Sequence, residues 1–440
     1  MHSIAEYERV RDGLTRDMCI ARNQGQPVGL RKSTSNLFRT RDESRKRKID
    51  VSSLHHVLRI DPDKLLVDVE GMITYEELVR QTLAHGLLPA VTPELKTITA
   101  GGAISGLAIE SSSFRFGLVH ETVEDMEVLV GDGTVAQCSR ETNQDLFCSL
   151  PNSYGTLGYV LRLRLRLMPA KRYVALTHER YSDVDDCFRA IASAADDPSI
   201  DFLDGTVFAR GEIYMTSGRM RDTAPRTSKY TYLGIYYKSI ASKSSDYLST
   251  ADYIWRWDTD WFWCSKQFHA QHAAVRLFAT PRLLNSLTYQ RIMRLSNRVM
   301  TGPAKTESVI QDVAIPIGNA PEFLRFLLSD IRITPIWLCP FRIPAASGAY
   351  TLYPMDAGTL YINFGFWDVL PKQSDPAHYN KKIEAEAQAL NGRKALYSSS
   401  YYDRDTFESF YDVERYKAVK KKYDPDGLFG DLYQKCVLRK

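Results

Sequence analysis

The sequence predicts an α+β chain of two domains, and three observations carry that prediction. Its 440 residues exceed what one hydrophobic core usually serves. Up to about Pro169 the chain alternates short strands with helices. Beyond Tyr181 the pattern changes to one helix followed by aromatic-rich strands, so a boundary falls between Pro169 and Tyr181.

The elements follow in order. The opening MHSIAEYERVRDGLTRD is polar and helix-like. Val67–Glu70 reads as a strand, and Thr74–His85 as a helix with Leu78 and Leu83 facing inward. Gly86 stops that helix as a C′ glycine. Met126–Val130 and Thr134–Cys138 form a hairpin around the turn Gly131-Asp132-Gly133. Tyr159–Leu167 (YVLRLRLRL) is the clearest strand, with four leucines on one face and Arg162, Arg164 and Arg166 on the other. A helix over Val184–Ala195 and a strand over Tyr230–Tyr237 come next. Trp255, Trp257, Trp261 and Trp263 read as core filling, or as the wall of an apolar pocket or a membrane-facing lip. Strands at Ile336–Leu338 and Leu360–Phe364, a helix over Lys381–Leu390 and a tyrosine-rich tail complete the chain.

Composition excludes several classes. Hydrophobic residues at 44% and charged residues at 25% are ordinary for a globular protein. The 25 tyrosines favour a large cavity that is part polar and part apolar. A net charge of +4, from 57 basic and 53 acidic residues, is too balanced for a dedicated nucleic-acid binder. Arg45–Lys48 is the densest basic run, either a solvated loop or a patch for phosphate or lipid headgroups. Seven dispersed cysteines without a CxxC pair fit a reducing compartment, and argue against a disulfide framework and a zinc site. No signal-peptide core and no transmembrane-length apolar run is present, so the expected location is cytoplasmic, with membrane contact at most peripheral.

Three segments carry chemistry. After Pro27-Val28-Gly29 comes a dense polar patch of Arg31, Lys32, Ser33, Thr34, Ser35 and Asn36, which suits a pyrophosphate or serves as a plain surface turn. The second runs PELKTITAGGAISGLAIESSSFRFG, Pro93 to Gly117. Gly101 and Gly102 let the backbone approach a ligand, and Ser105 extends that access. It is not the GxGxxG dinucleotide fingerprint. The third, Asn152 to Val160 (NSYGTLGYV), places Gly155 and Gly158 just before the Leu/Arg strand.

These segments, with PIWLCPF (Pro335–Phe341), LYSSSYYDRDTF (Leu396–Phe407) and YDPDGLFGDLYQKC (Tyr423–Cys436), resemble FAD-binding oxidoreductases of the vanillyl-alcohol-oxidase (PCMH-type) superfamily. The resemblance is closest to delta-24-sterol reductases and to bacterial reductases of 10-methylene fatty acyl chains. It implies a two-lobed PCMH-type FAD-binding domain over residues 1–172 and an α+β substrate (cap) domain over 173–395. Residues 396–440 would return to the flavin site.

By that resemblance Lys32 to Asn36 wrap the pyrophosphate together with Gly101, Gly102 and Ser105. Pro93, Thr99, Gly106 and Gly117 belong to the same binding segment. Glu110, Ser111, Ser112 and Ser113 lie along the flavin edge, and Gly155, Gly158 and Val160 near the adenosine. Neither the first loop nor the Ser111–Ser113 loop offers His or Cys as a tether, so FAD is expected to bind non-covalently. The sequence also lacks the N-terminal anchor of animal sterol reductases, which leans the expected substrate towards a bacterial-type lipid.

The implied activity is hydride transfer through FAD to a carbon–carbon double bond of a lipid, with NADPH as the electron donor. The candidate proton donors are Tyr397, Tyr401 and Glu110, with His269 and His272 as outsiders. His120 reads as a flavin contact or a surface residue. Trp337, Cys339 and His269 are the candidate substrate contacts, and HAQH lacks the third ligand a metal site needs. An oxygen-dependent desaturase or oxidase is the first alternative, and a lipid-binding protein that has lost its flavin is the second.

Overall fold

The computed structural model describes residues 3–32, 46–278, 306–345 and 349–439, together with 283–286, 288, 289 and 292. The opening helix is Ile4–Asn23; Ser3 and Glu6 cap it reciprocally in a capping box. Its buried face (Tyr7, Leu14, Met18, Ala21) packs on a parallel pair of strands, β1 (Val28–Arg31) and β2 (Arg47–Asp50).

A second sheet contains β3 (Val57–Asp61), β4 (Leu66–Glu70), β5 (Leu87–Pro89), β6 (Val123–Leu129), β7 (Val135–Ser139) and β8 (Tyr159–Pro169). Its order is β3-β4-β8-β6-β7, with β5 also paired to β8. The Leu/Arg alternation explains why β8 is central. Leu161, Leu163 and Leu165 are buried in the core. The arginine face forms an ion-pair ladder across the neighbouring strands: Arg162 reaches Asp68 at 2.5 Å and Asp125 at 3.2 Å, and Arg166 reaches Glu124 at 3.0 Å. The helix Tyr75–Leu83 has Thr74 as its N-cap, and Gly86 follows with φ +69°.

The chain leaves this sheet at Pro169 and enters a third at Tyr173. The third sheet comprises β9 (Tyr173–Tyr181), β10 (Phe202–Ala209), β11 (Glu212–Arg221), β12 (Ser245–Ser249), β13 (Thr306–Pro316), β14 (Ile336–Arg342), β15 (Leu360–Pro371) and β16 (Arg393–Lys394). It is ordered β12-β9-β11-β10-β14-β15-β13-β16. Helices Val184–Ala195, Ala320–Phe326 and His378–Ala389 cover one face. The period of two in PIWLCPF divides β14 between two cores. Ile336 and Leu338 join the helix layer, whereas Trp337 and Cys339 face the other side.

Two expectations change. Tyr230–Tyr237 is not a strand: the chain turns through 230–234, and a short helix, Tyr236–Ile240, follows. Gly234 marks the reason, since a Cβ there would lie 2.6 Å from the Lys229 carbonyl oxygen. The helix expected over Lys381–Leu390 spans His378–Ala389 and so begins three residues earlier. After β16 the chain returns to the part that holds β1 to β8, here the first lobe, where Gly131 N–H donates to Tyr423 O at 2.7 Å and Val28 N–H to Leu428 O at 2.9 Å.

Candidate functional site

A cavity of about 460 Å³ opens where the three sheets meet. Its size falls in the range of small-molecule sites. One part is built from Val28, Gly29, Lys32 and Lys46 of the first lobe, with Lys435 from the returning tail. A second comes from Pro93 to Ile109, and a third from Tyr154 to Val160. The remaining wall is Trp261, Phe262, Asp312, Trp337, Trp367 and Tyr397.

The glycines of the second segment act through clearance. Gly101 lies against Gly71 and Val160; a Cβ on Gly101 would meet the Gly71 oxygen at 2.9 Å. The helix Ala100–Ser105 starts there with its first N–H groups already used. Gly101 donates to Gly71 O at 2.8 Å, Gly102 to Thr99 Oγ1 at 3.2 Å and Ala103 to Thr99 O at 2.8 Å. These N–H groups are thus engaged within the protein, and the two glycines serve the site by clearance. The cations Lys32, Lys46 and Lys435 supply the positive charge on the lining instead. Lys435 is fixed by donating to Tyr154 O at 2.7 Å.

The aromatic wall is closely packed. Phe262 stacks on Trp367 with centroids 4.3 Å apart and meets Trp337 at 5.5 Å. Trp261 and Phe262 both lie in the left-handed region (φ +44° and +59°), a costly backbone for bulky side chains that clusters at functional sites. Tyr397 is held on the same wall: Trp367 Nε1 donates to its hydroxyl at 3.0 Å, and that hydroxyl donates to Asp312. Asn363 Nδ2 also donates to Asp312, at 2.6 Å, while burial pushes the Asp312 carboxyl up to about 6. Burial first, and then Asp312, push the Tyr397 phenol well above its ordinary value.

Behind the Pro93–Ile109 segment lies a buried ionic cluster. Arg256 reaches Glu110 at 3.1 Å and Asp204 at 2.9 Å, and its guanidinium sits 4.0 Å over the Tyr253 ring. Glu94 lines the cavity and adjoins Glu110; burial, and then Glu110, push its carboxyl well above the usual range.

The chain matches the family model described as "FAD binding domain" over residues 12–139. It is 27% identical to the Delta(24)-sterol reductase of Homo sapiens over 403 residues, covering 87% of this chain and 76% of that protein. Identity to the Pisum sativum Delta(24)-sterol reductase is 25% over 475 residues, 97% of this chain and 81% of that protein. Cytokinin dehydrogenase 7 of Oryza sativa subsp. japonica is 33% identical over 145 residues, 32% of this chain and 28% of that protein. The chain carries an FAD-binding domain and is similar over most of its length to Delta(24)-sterol reductases, which makes it an FAD-dependent oxidoreductase.

In this flavoprotein the donor set suits FAD. Lysines and a glycine-cleared backbone fit a pyrophosphate, and a wall of aromatic rings fits a flat, apolar ring system. Of the predicted cofactor residues, Lys32, Pro93, Thr99, Gly101, Gly102, Ser105, Gly106, Gly155, Gly158 and Val160 line the cavity. Ser33, Thr34, Ser35 and Asn36 lie outside the described residues. Arg31 points to solvent and pairs with Asp50 at 3.5 Å.

The flavin-edge expectation changes more. Glu110, Ser111, Ser112 and Ser113 are buried and committed to the protein. Ser111 Oγ donates to Glu110 Oε1 at 2.6 Å, Ser112 Oγ donates to Ala90 O at 2.8 Å, and Ser113 Oγ accepts from Glu110 N–H. Gly117 turns at φ +76° against the Glu121 side chain. His120 is buried edge-on to Tyr350, and desolvation lowers it to about 4, which keeps it neutral.

Among the substrate and acid candidates, Trp337 and Tyr397 reach the lining. Cys339 is fully buried, and burial pushes its thiol well up, so it is inert packing. His269 is on the surface, as is His272, and no metal-binding group of three ligands occurs among the described residues. Tyr401 is half-buried under Arg439, away from the cavity. Of the four tryptophans, Trp257 and Trp263 are core, Trp255 is buried, and Trp261 is both buried and on the lining, so none forms a membrane-facing lip.

Sequence reasoning missed Glu94, Asp312, Arg256 and Trp367. A signal existed for two of them. Glu94 is an acid inside a segment of Pro, Leu, Thr and Gly bound for burial, and Arg256 is a cation between two tryptophans.

Proposed function

We propose that this flavoprotein reduces a carbon–carbon double bond in a lipid, with NADPH as electron donor and a methylene-branched acyl chain or a sterol side chain as substrate. The observation that carries this reading is one cavity, walled by the glycine-cleared, lysine-bearing segments on one part and by Trp261, Phe262, Trp337 and Trp367 on the other. The sterol reductases, which align over most of the chain, support it by the reaction their name states. Bound FAD supplies the hydride. The aromatic wall excludes water and holds an apolar chain, and Tyr397, fixed between Asp312 and Trp367, gives the site a placed hydroxyl. No His or Cys stands among the described lining residues, in keeping with FAD held without a covalent tether. Residues 1–172 would form the FAD-binding domain, 173–395 the cap, and 396–440 the returning segment.

Purified protein should show flavin absorption that bleaches on anaerobic addition of NADPH and returns when a methylene-branched acyl lipid or a sterol with a side-chain double bond is added. Flavin that ignores NADPH but reduces in the presence of a saturated methylated lipid would point instead to the desaturase reading.

The substrate would be met at a membrane surface. No described helix is long and apolar enough to cross a bilayer. However, Leu277 and Phe278 are 66% and 87% exposed, and Leu233 lies close by, since Tyr232 OH donates to Leu277 O at 3.3 Å. The sequence from Trp261 to Thr306 carries no acidic residue and several arginines, which suits an anionic surface. The protein should co-float with anionic phospholipid vesicles at low salt and not with neutral ones. Replacing both Leu277 and Phe278 by Ser should weaken that binding roughly tenfold, because each removes exposed apolar area that can enter the interface.

A further inference from the structure

We propose that Glu94 is the acid that protonates the substrate carbon, kept loaded with its proton by the Glu110–Arg256–Asp204 cluster behind it. This inference rests on the double-bond reductase reading and names the proton source of that reaction.

Glu94, Glu110 and Asp204 are 4%, 1% and 1% exposed, and a single guanidinium, Arg256, stands among them at 0%. With every group ionised, the cluster would hold two uncompensated negative charges in a medium of low polarity. Binding a proton removes one of them at far less cost than leaving it. The guanidinium's carboxylate contacts go to Glu110 and Asp204, and Trp337 Nε1 adds a contact to Asp204 at 3.4 Å. Both carboxyls therefore have a cationic partner, which for Asp204 offsets part of the rise that burial imposes. The proton therefore resides on Glu94, which has no such contact and shares a hydrogen bond with Glu110.

Glu94 is also the member of the cluster that lines the cavity. Its Oε1 is buried without a hydrogen-bond partner among the described residues, an expensive arrangement unless a ligand or a proton uses it. The other titratable groups packed on the cluster are the Tyr253 and Tyr236 phenols and the Cys339 thiol, all kept neutral by burial. Tyr397 is the weaker acid. Its proton is engaged with Asp312, and its pKa is displaced far above neutrality. A carboxyl raised above the usual carboxylate range gives the better match for proton transfer.

In the step, the O–H bond of Glu94 breaks and a C–H bond forms at one alkene carbon. The hydride from the reduced flavin, recharged by the nicotinamide, bonds to the other carbon. Glu94 is left as a carboxylate and regains its proton from solvent on product release.

The test uses Glu94→Gln and Glu110→Gln in the FAD-loaded protein. Infrared difference spectra over a pH titration should show a protonated carboxyl at pH 7 in the wild type that is absent from E94Q; its absence from the wild type overturns the proposal, whatever the substrate. In single turnovers with pre-reduced flavin, E94Q should keep FAD binding and reduction but lose alkene-driven reoxidation by about 100-fold or more. Reoxidation by E94Q at the wild-type rate also overturns it. E110Q removes the negative neighbour and lowers the pKa of Glu94, so the fall in rate with rising pH should begin at a lower pH than in the wild type; an unmoved profile counts against the proposal. A wild-type flavin that no alkene reoxidises defeats the reductase reading instead, and the infrared signature separates the two failures.

Discussion

Arg256→Met should destabilise the fold by about 3–5 kcal/mol near neutral pH, the usual cost of stripping one partner from a buried ion pair. Methionine replaces much of the volume, so the loss reports charge and not a void. Arg256 is fully buried, and it compensates Glu110 and Asp204 from within 3.1 Å and 2.9 Å. Without it, the burial that already raises the Asp204 carboxyl acts without the opposing guanidinium, and its folded-state pKa stands further above the unfolded one. The sign follows from linkage. The penalty is absent below the unfolded carboxyl pKa, about pH 4, and grows as pH rises through the raised folded values. Urea unfolding of wild type and variant at pH 5 and pH 7.5 should therefore show a gap that widens with pH. Adding Asp204→Asn to Arg256→Met should recover part of the loss, because the variant then buries one charge fewer. A gap independent of pH would mean that Arg256 acts through packing on Tyr253 alone.

Gly71→Ala should be the most damaging single methyl added to the flavin-binding half. The new Cβ would lie 2.1 Å from the Val160 carbonyl oxygen, which is backbone and cannot swing aside. Either β8 moves or the 71–73 turn does, at a cost of about 3 kcal/mol. The damage reaches the site, because Gly101 N–H donates to Gly71 O at 2.8 Å and the helix Ala100–Ser105 is seated on that contact. FAD affinity, measured by fluorescence titration of the stripped protein, should drop at least tenfold. Gly318→Ala is the matched control: its Cβ would meet nothing within 4 Å, so stability and FAD affinity should stay unchanged.

The parts of the fold legible in the sequence were those written in periodicity and in turn chemistry. The Leu/Arg strand, the Val184–Ala195 helix and the glycine stop at Gly86 appear where the pattern puts them, since each is decided within about ten residues. Tyr230–Tyr237 misled because aromatic residues favour strands but also fill cores, and Tyr230 is buried through its hydroxyl contact with Asp246. The candidate site was legible along its glycine segments and invisible across its sheet-to-sheet contacts. Nothing near Glu110 in sequence announces Arg256, which stands 146 residues away. Nothing near Tyr397 announces Asp312. The Ser111–Ser113 run looked like a ligand loop because hydroxyls serve ligands and buried turns equally well, and only the tertiary partners decide between them.

The return of the tail to the first lobe sets the order of assembly. Arg22 pairs with Asp426 at 2.7 Å, Val28 N–H donates to Leu428 O, and Lys435 reaches Tyr154 from the far end of the chain. A polypeptide emerging from the ribosome cannot make these contacts until residues 424–435 have been synthesised. The cavity wall shared by Val28, Lys46 and Lys435 therefore closes late, and FAD binding should be coupled to that closure. Ligand capture and final folding then share one equilibrium, and a cell short of flavin would accumulate the protein in its loosest, most protease-sensitive form.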